Sequence, residues 1–196
     1  MILIKNYKNN MSNSKINFGP LSGLIGVWKG NRGIDMAPEK AGLDENLYHE
    51  TITFSPCTQV DNAESQVIYA LSYHQIVQRK SNNNIFHDQS GYWMWDINQD
   101  IIMHSFTIPR AVCVLAGGHY KSLENGGIEL KVSATLGDKD WGIIQSPFMQ
   151  NNASTKKFSQ TMTINNNKLE YSQMTIVDIY GKEFSHSDAN SLELQV

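Results

Sequence analysis

Six histidines (His49, His74, His87, His104, His119 and His186) are the side chains here most able to hold a transition metal or move a proton near neutral pH. Their spacing offers no H-x-H pair and no H-E-x-x-H, so a metal site built from protein ligands alone is not expected. G-x-S-x-G, P-loop and G-x-G-x-x-G patterns are missing as well, which removes the common nucleophile and phosphate chemistries. His186 lies in "FSHSDANSLELQV" near the C-terminus. It is either a solvated imidazole or a ring that a closing strand aims inward, where it could ligate iron and leave the opposite position open. Asp188 or a backbone carbonyl could then fix its second nitrogen. His87 lies in "FHDQSGYWMWD" and can be a polar group opposite such a ligand, a satisfied core residue or a surface residue. An acid–base pair of His87 with Asp88 is disfavoured, because neighbours in a strand point to opposite faces. Arg110, after Pro109 at a strand junction, is either exposed or paired with an anionic group at a rim.

The elements that must position these groups are strands. No stretch has the periodicity of an amphipathic helix of three turns, whereas short segments with two-residue alternation recur between Gly, Asn, Asp and Pro. In "GIELKVSATL", Ile128, Leu130, Val132 and Ala134 alternate with Glu129, Lys131, Ser133 and Thr135. The spacing predicts strands near 26–35, 47–55, 66–79, 85–95, 101–108, 111–121, 127–136, 157–164, 168–179 and 183–194. "NNNK" between the eighth and ninth reads as a hairpin turn. About ten antiparallel strands with short connections imply an all-β, up-and-down β-barrel of the calycin (lipocalin-like) type, since closure disposes of the sheet edges. The one long connection, "GDKDWGIIQSPFMQNNAST", has room for a short helix or flap. In "PLSGLIGVWKGNRG", Trp28 is expected to plug one end, with Gly26 and Gly30 permitting close backbone approach. Met94, Phe106, Ile108, Val112 and Val114 are the candidate cavity walls, subject to strand register.

At 196 residues the chain fits one domain, read as 17–196 after a flexible leader over 1–16, with Met11 a second candidate start. Hydrophobic residues at 40% and charged residues at 18% are globular values and exclude wholesale disorder. A formal charge of -3 without a Lys/Arg cluster argues against nucleic acid. The apolar run Met1–Ile4 is too short for a signal peptide or a membrane span, so a cytoplasmic protein with no membrane partner is expected. Cys57 and Cys113 are read as small buried thiols rather than a disulfide framework.

Four separated segments together resemble the nitrobindin family of fatty-acid-binding-protein-like, heme-binding barrels. These are "GVWKGNRG", "FHDQSGYW", "IPRAVCVLAGG" and "YGKEFSHSDANSL", and the likeness spans roughly residues 18–194. "GNRG" carries one residue more than the family's usual glycine motif, and Phe86 and Gln89 stand where Leu and Glu are more usual, which is closer to a less characterised branch. The resemblance implies heme b in a ten-stranded barrel, with His186 as the iron ligand and His87 on the other side of the heme; beside it, Arg110 is the candidate to pair with a propionate or another anionic head group at the rim. It also implies reactivity toward nitric oxide and conversion of peroxynitrite to nitrate, the activity of a heme-dependent peroxynitrite isomerase. The alternative is an iron-free carrier of an apolar small molecule such as a fatty acid. The expected partners are a small molecule in the barrel and, at most, a second copy of the chain in a homodimer.

Overall fold

The computed structural model describes residues 16–57 and 65–195. The leader expected over 1–16 therefore lies, but for Ile16, outside the described residues. A short 3-10 turn, Gly19–Leu24, precedes β1 (Gly26–Glu39), β2 (Gly42–Pro56), β3 (Ile68–Arg79), β4 (Ile85–Asp96), β5 (Ile101–Ile108) and β6 (Val112–Ser122). There follow β7 (Ile128–Thr135), β8 (Ile143–Gln145), the helical turn α1 (Pro147–Asn152), β9 (Ala153–Asn165), β10 (Lys168–Ile179) and β11 (Lys182–Gln195). Every pairing is antiparallel, and β1–β11 together with β5–β6 close the sheet. Ten strands form the ring, while β8 flanks β6 where β7 has diverged. The predicted up-and-down barrel is what forms, and the long connection holds β8 and α1. Asn166, at a positive φ of 51°, makes the hairpin turn between β9 and β10 that an Asn-rich sequence favours.

Trp28 is fully buried, and its indole Nε1–H donates to the Leu24 carbonyl at 2.7 Å. Leu21, Leu24, Leu71, Leu169 and Leu192 share that end of the interior. Next to this apolar plug comes a polar layer around the Glu50 carboxylate. It accepts from Gln75 Nε2 at 2.9 Å, Asn190 Nδ2 at 2.9 Å and the Tyr171 hydroxyl at 3.1 Å. Burial pushes Glu50 up to about 7 in spite of these three donors.

The extra residue of "GNRG" is a β-bulge. Gly30 lies opposite Glu50 and Gly33 opposite Tyr48, so β1 spends three steps where β2 spends two; the same slip recurs against β11. The bulge reverses the inward phase of the strand. Trp28 and Gly30 face in before it, and Gly33, Asp35 and Ala37 face in after it, which leaves Ile34 44% exposed. A Cβ on Gly33 would collide with the Tyr48 ring, so glycine is required there for the ring to lie against the strand.

Two expectations are corrected. Met94 does not line the cavity, because Trp93 on the same strand is buried and the pleat turns Met94 to the other face. Cys113 is exposed rather than buried, since its neighbours Val112 and Val114 take the inward positions, and Cys57 is only half-buried; both are free. Among the described residues no helix is long and apolar enough to cross a membrane.

His104 is buried against Trp93, with ring centroids 4.2 Å apart, and its Nε2 bonds the Tyr73 hydroxyl at 2.7 Å. Burial lowers its pKa to about 3. The unfolded ring takes up a proton near 6.5 and the folded one only near 3, so this residue's stabilising contribution is complete above 6.5 and is lost as pH falls toward 3. His104→Phe keeps the stacked ring, and Tyr73 retains its bond from Gln89. The variant is expected to gain on the wild type between pH 6.5 and pH 3, by at most about 1.4 kcal/mol per pH unit. Urea midpoints at several pH values check this, and wild-type and variant curves that fall in parallel would refute it.

Candidate functional site

Above the polar layer the barrel encloses a cavity of about 410 Å³ open at one end. Phe106, Ile108, Val112 and Val114 form one apolar wall, as expected from the alternation of β5 and β6. His87, Arg110 and His186, far apart in sequence, all line this cavity.

His186 reaches it from β11. Asp188, Asn190 and Leu192 follow on the same inward face, and the hairpin at Tyr180–Gly181, with φ of 56° and 78°, fixes the strand's register against β10. Its Nε2 lies 2.5 Å from Asp35 Oδ1 and 3.7 Å from Asp188 Oδ2. Nδ1 has no hydrogen-bond partner among the described residues. Burial works against charge on this ring, but the Asp35 and Asp188 carboxylates outweigh it and raise the pKa above the ordinary histidine value. Asp188 is pushed up to about 7, by burial first and then by the nearby negative charge of Asp35, with the charge of His186 opposing. Burial likewise works to raise Asp35, but its bond to His186 and that ring's charge bring it below the usual carboxylate range. The two carboxylates thus favour the charged form of the His186 ring, and the ring favours the ionised form of Asp35.

His87 comes from the other side. A register shift in β4 leaves Phe86 as an extra residue between Ile85 and His87, and both Phe86 and His87 line the cavity. His87 Nε2 bonds Gln89 Oε1 at 3.1 Å, and Gln89 Nε2 in turn donates to the Tyr73 hydroxyl at 2.5 Å. Burial lowers the His87 pKa despite the bond to Gln89, so this ring is neutral at pH 7. Asp88 points outward to His74 at 2.9 Å, and a His87–Asp88 couple does not exist.

Arg110 sits in the β5–β6 turn at the mouth, exposed and without an ion-pair partner among the described residues. The other cavity arginine, Arg79, is engaged: its Nε donates to Asn46 Oδ1 at 3.1 Å and its guanidinium lies 4.4 Å from the Phe86 ring centre.

No motif or spacing singles out Asp35, Glu50, Tyr48 or Tyr171. The Tyr48 and Tyr171 hydroxyls meet at 2.8 Å beneath the cavity. Asp188, expected as the partner of His186, is the more distant carboxylate, and Asp35 is the nearer one.

Residues 17–193 match the family described as "THAP4-like, heme-binding beta-barrel domain". No curated protein matches the chain. Among solved structures, Rv2717c from M. tuberculosis superposes with a TM-score of 0.69 at 21% identity, covering 92% of this chain and all of the other. That likeness is one of fold.

Proposed function

This chain belongs to the THAP4-like heme-binding β-barrel domain family, and we propose that its cavity takes heme b with the His186 imidazole as the iron ligand. The observation that carries this reading is the meeting of His186, His87 and Arg110 in one cavity. The donor set fits the group. A single imidazole oriented by a carboxylate is the usual outer-shell arrangement of a metal-bound histidine. Phe106, Ile108, Val112 and Val114 offer the macrocycle an apolar wall. The unpaired Arg110 guanidinium at the mouth suits a propionate. When bound, ferric heme supplies the Lewis-acidic iron needed for nitric oxide binding and for peroxynitrite conversion to nitrate.

The chain's own residues set the surroundings of that chemistry. His87, neutral, donates its Nε2–H to Gln89 Oε1, which leaves Nδ1 to accept one hydrogen bond from a group held in the cavity. The apolar wall offers water no hydrogen-bond partner on its side of the cavity. The free thiols of Cys57 and Cys113 suit a reducing cytoplasm.

Protein produced with heme supplied and then desalted is expected to keep its Soret band and to raise the nitrate yield from peroxynitrite. His87→Ala should keep the band while changing the rate of reaction with peroxynitrite. A colourless protein that carries a fatty acid through purification would instead favour the iron-free carrier.

A further inference from the structure

The heme reading uses one carboxylate to orient His186, but it does not account for a second one gathered on the same ring nitrogen. One oxygen each of Asp35 and Asp188 and a ring nitrogen of His186 all lie within 4.8 Å of one another. The bulge in β1 aims Asp35 inward, and Asp188 follows His186 by two residues on the inward face of β11. All three donors thus stand on strands of the closed sheet. Asp35 is buried, and no lysine or arginine makes an ion pair with either aspartate among the described residues. Glu50, also buried, sits in the adjacent layer without a cationic partner. Two carboxylates therefore face a single imidazole, with the Glu50 carboxyl in the layer beneath, and charge taken out of water must be matched.

We propose that Asp35, His186 and Asp188 bind one divalent transition-metal ion when heme is absent, through His186 Nε2 and one oxygen of each aspartate. The chemistry of the donors is that of zinc or manganese: one nitrogen and two hard oxygens, with the remaining coordination positions open to the cavity. Around an ion with bonds near 2.0–2.2 Å, donor atoms lie about 3.3 Å apart. The Asp188–His186 separation of 3.7 Å is close to this, and the Asp35–His186 contact of 2.5 Å must open by under about 1 Å. Gln173 Nε2, 3.5 Å from Asp188 Oδ2, is placed to hold that carboxylate, and Gln160 Nε2 bonds Gln173 Oε1 at 3.3 Å. Iron at either ring nitrogen of His186 leaves Nε2 occupied or protonated, so the ion and heme exclude each other.

The test uses the full chain, purified without heme and stripped with chelator, titrated with Zn²⁺ by calorimetry and with Co²⁺ by visible absorption. The expected result is one saturable ion per chain with cobalt bands in the visible. Asp35→Asn and Asp188→Asn should each weaken binding by more than about tenfold, and prior loading with heme should block it. His74→Ala, which breaks the surface pair with Asp88, serves as control and should leave the stoichiometry unchanged. Absence of saturable binding would overturn the proposal, as would binding that persists undiminished in both aspartate variants. Heme uptake by the wild type, read from the Soret band, is a separate result, so a failed ion site leaves the heme reading standing.

Discussion

Trp28→Ala is expected to cost about 3–5 kcal/mol of folding stability, the range for truncating a large buried aromatic. The ring has no solvent exposure and lies in the plug with Leu21, Leu24 and Leu192, so the void has little means of collapsing. The Leu24 carbonyl also loses its 2.7 Å bond from the indole and is left buried without that donor. β1 pairs with β11 through Trp28 and Leu194 at this end, so loosening the plug should also weaken barrel closure. Chemical denaturation measures it; an unchanged midpoint would mean that Trp28 does not bear on the core.

The barrel itself was legible because a strand with one buried face writes its period into the sequence. Leu130, Val132 and Ala134 were assigned to one face from alternation and are buried together. The site was legible only in part. His186, His87 and Arg110 were reached through their motifs, but their partners depend on two irregularities that periodicity cannot express. The bulge at Gly30–Gly33 turns Asp35 inward, and "GNRG" was recognised as one residue long without the consequence that every later residue of β1 changes face. Likewise the shift at Phe86 brings two consecutive residues of β4 to the cavity. Glu50 reads as an ordinary charged residue in an alternating strand. Its burial is explained by Gln75, Tyr171 and Asn190, which come from three other strands. Met94 shows the limit from the other side: the residue type suits a cavity wall, and the pleat alone decides against it.

His186→Ala is expected to lower heme affinity by more than the roughly 10–100-fold typical of losing an outer-shell partner, because the iron ligand itself is removed. The apo-protein should also be destabilised at neutral pH, by on the order of 1–3 kcal/mol. Asp35 keeps a buried charge without the ring that pairs with it, while the partly exposed position of the ring holds the cost below that of a fully buried pair. The two effects are separable. Asp35→Asn in the His186→Ala background removes the orphaned charge, so stability should return while heme affinity stays low. If the double variant also regained heme, the loss in the single variant would have come from the fold and not from the ligand.

The central claim, that the imidazole of His186 holds the iron, is tested most directly by His186→Gly reconstituted with hemin in the presence and absence of free imidazole. A weak, shifted Soret band is expected without imidazole, with recovery of the wild-type spectrum when imidazole fills the space left at position 186. A wild-type spectrum in the variant before any imidazole is added would contradict it.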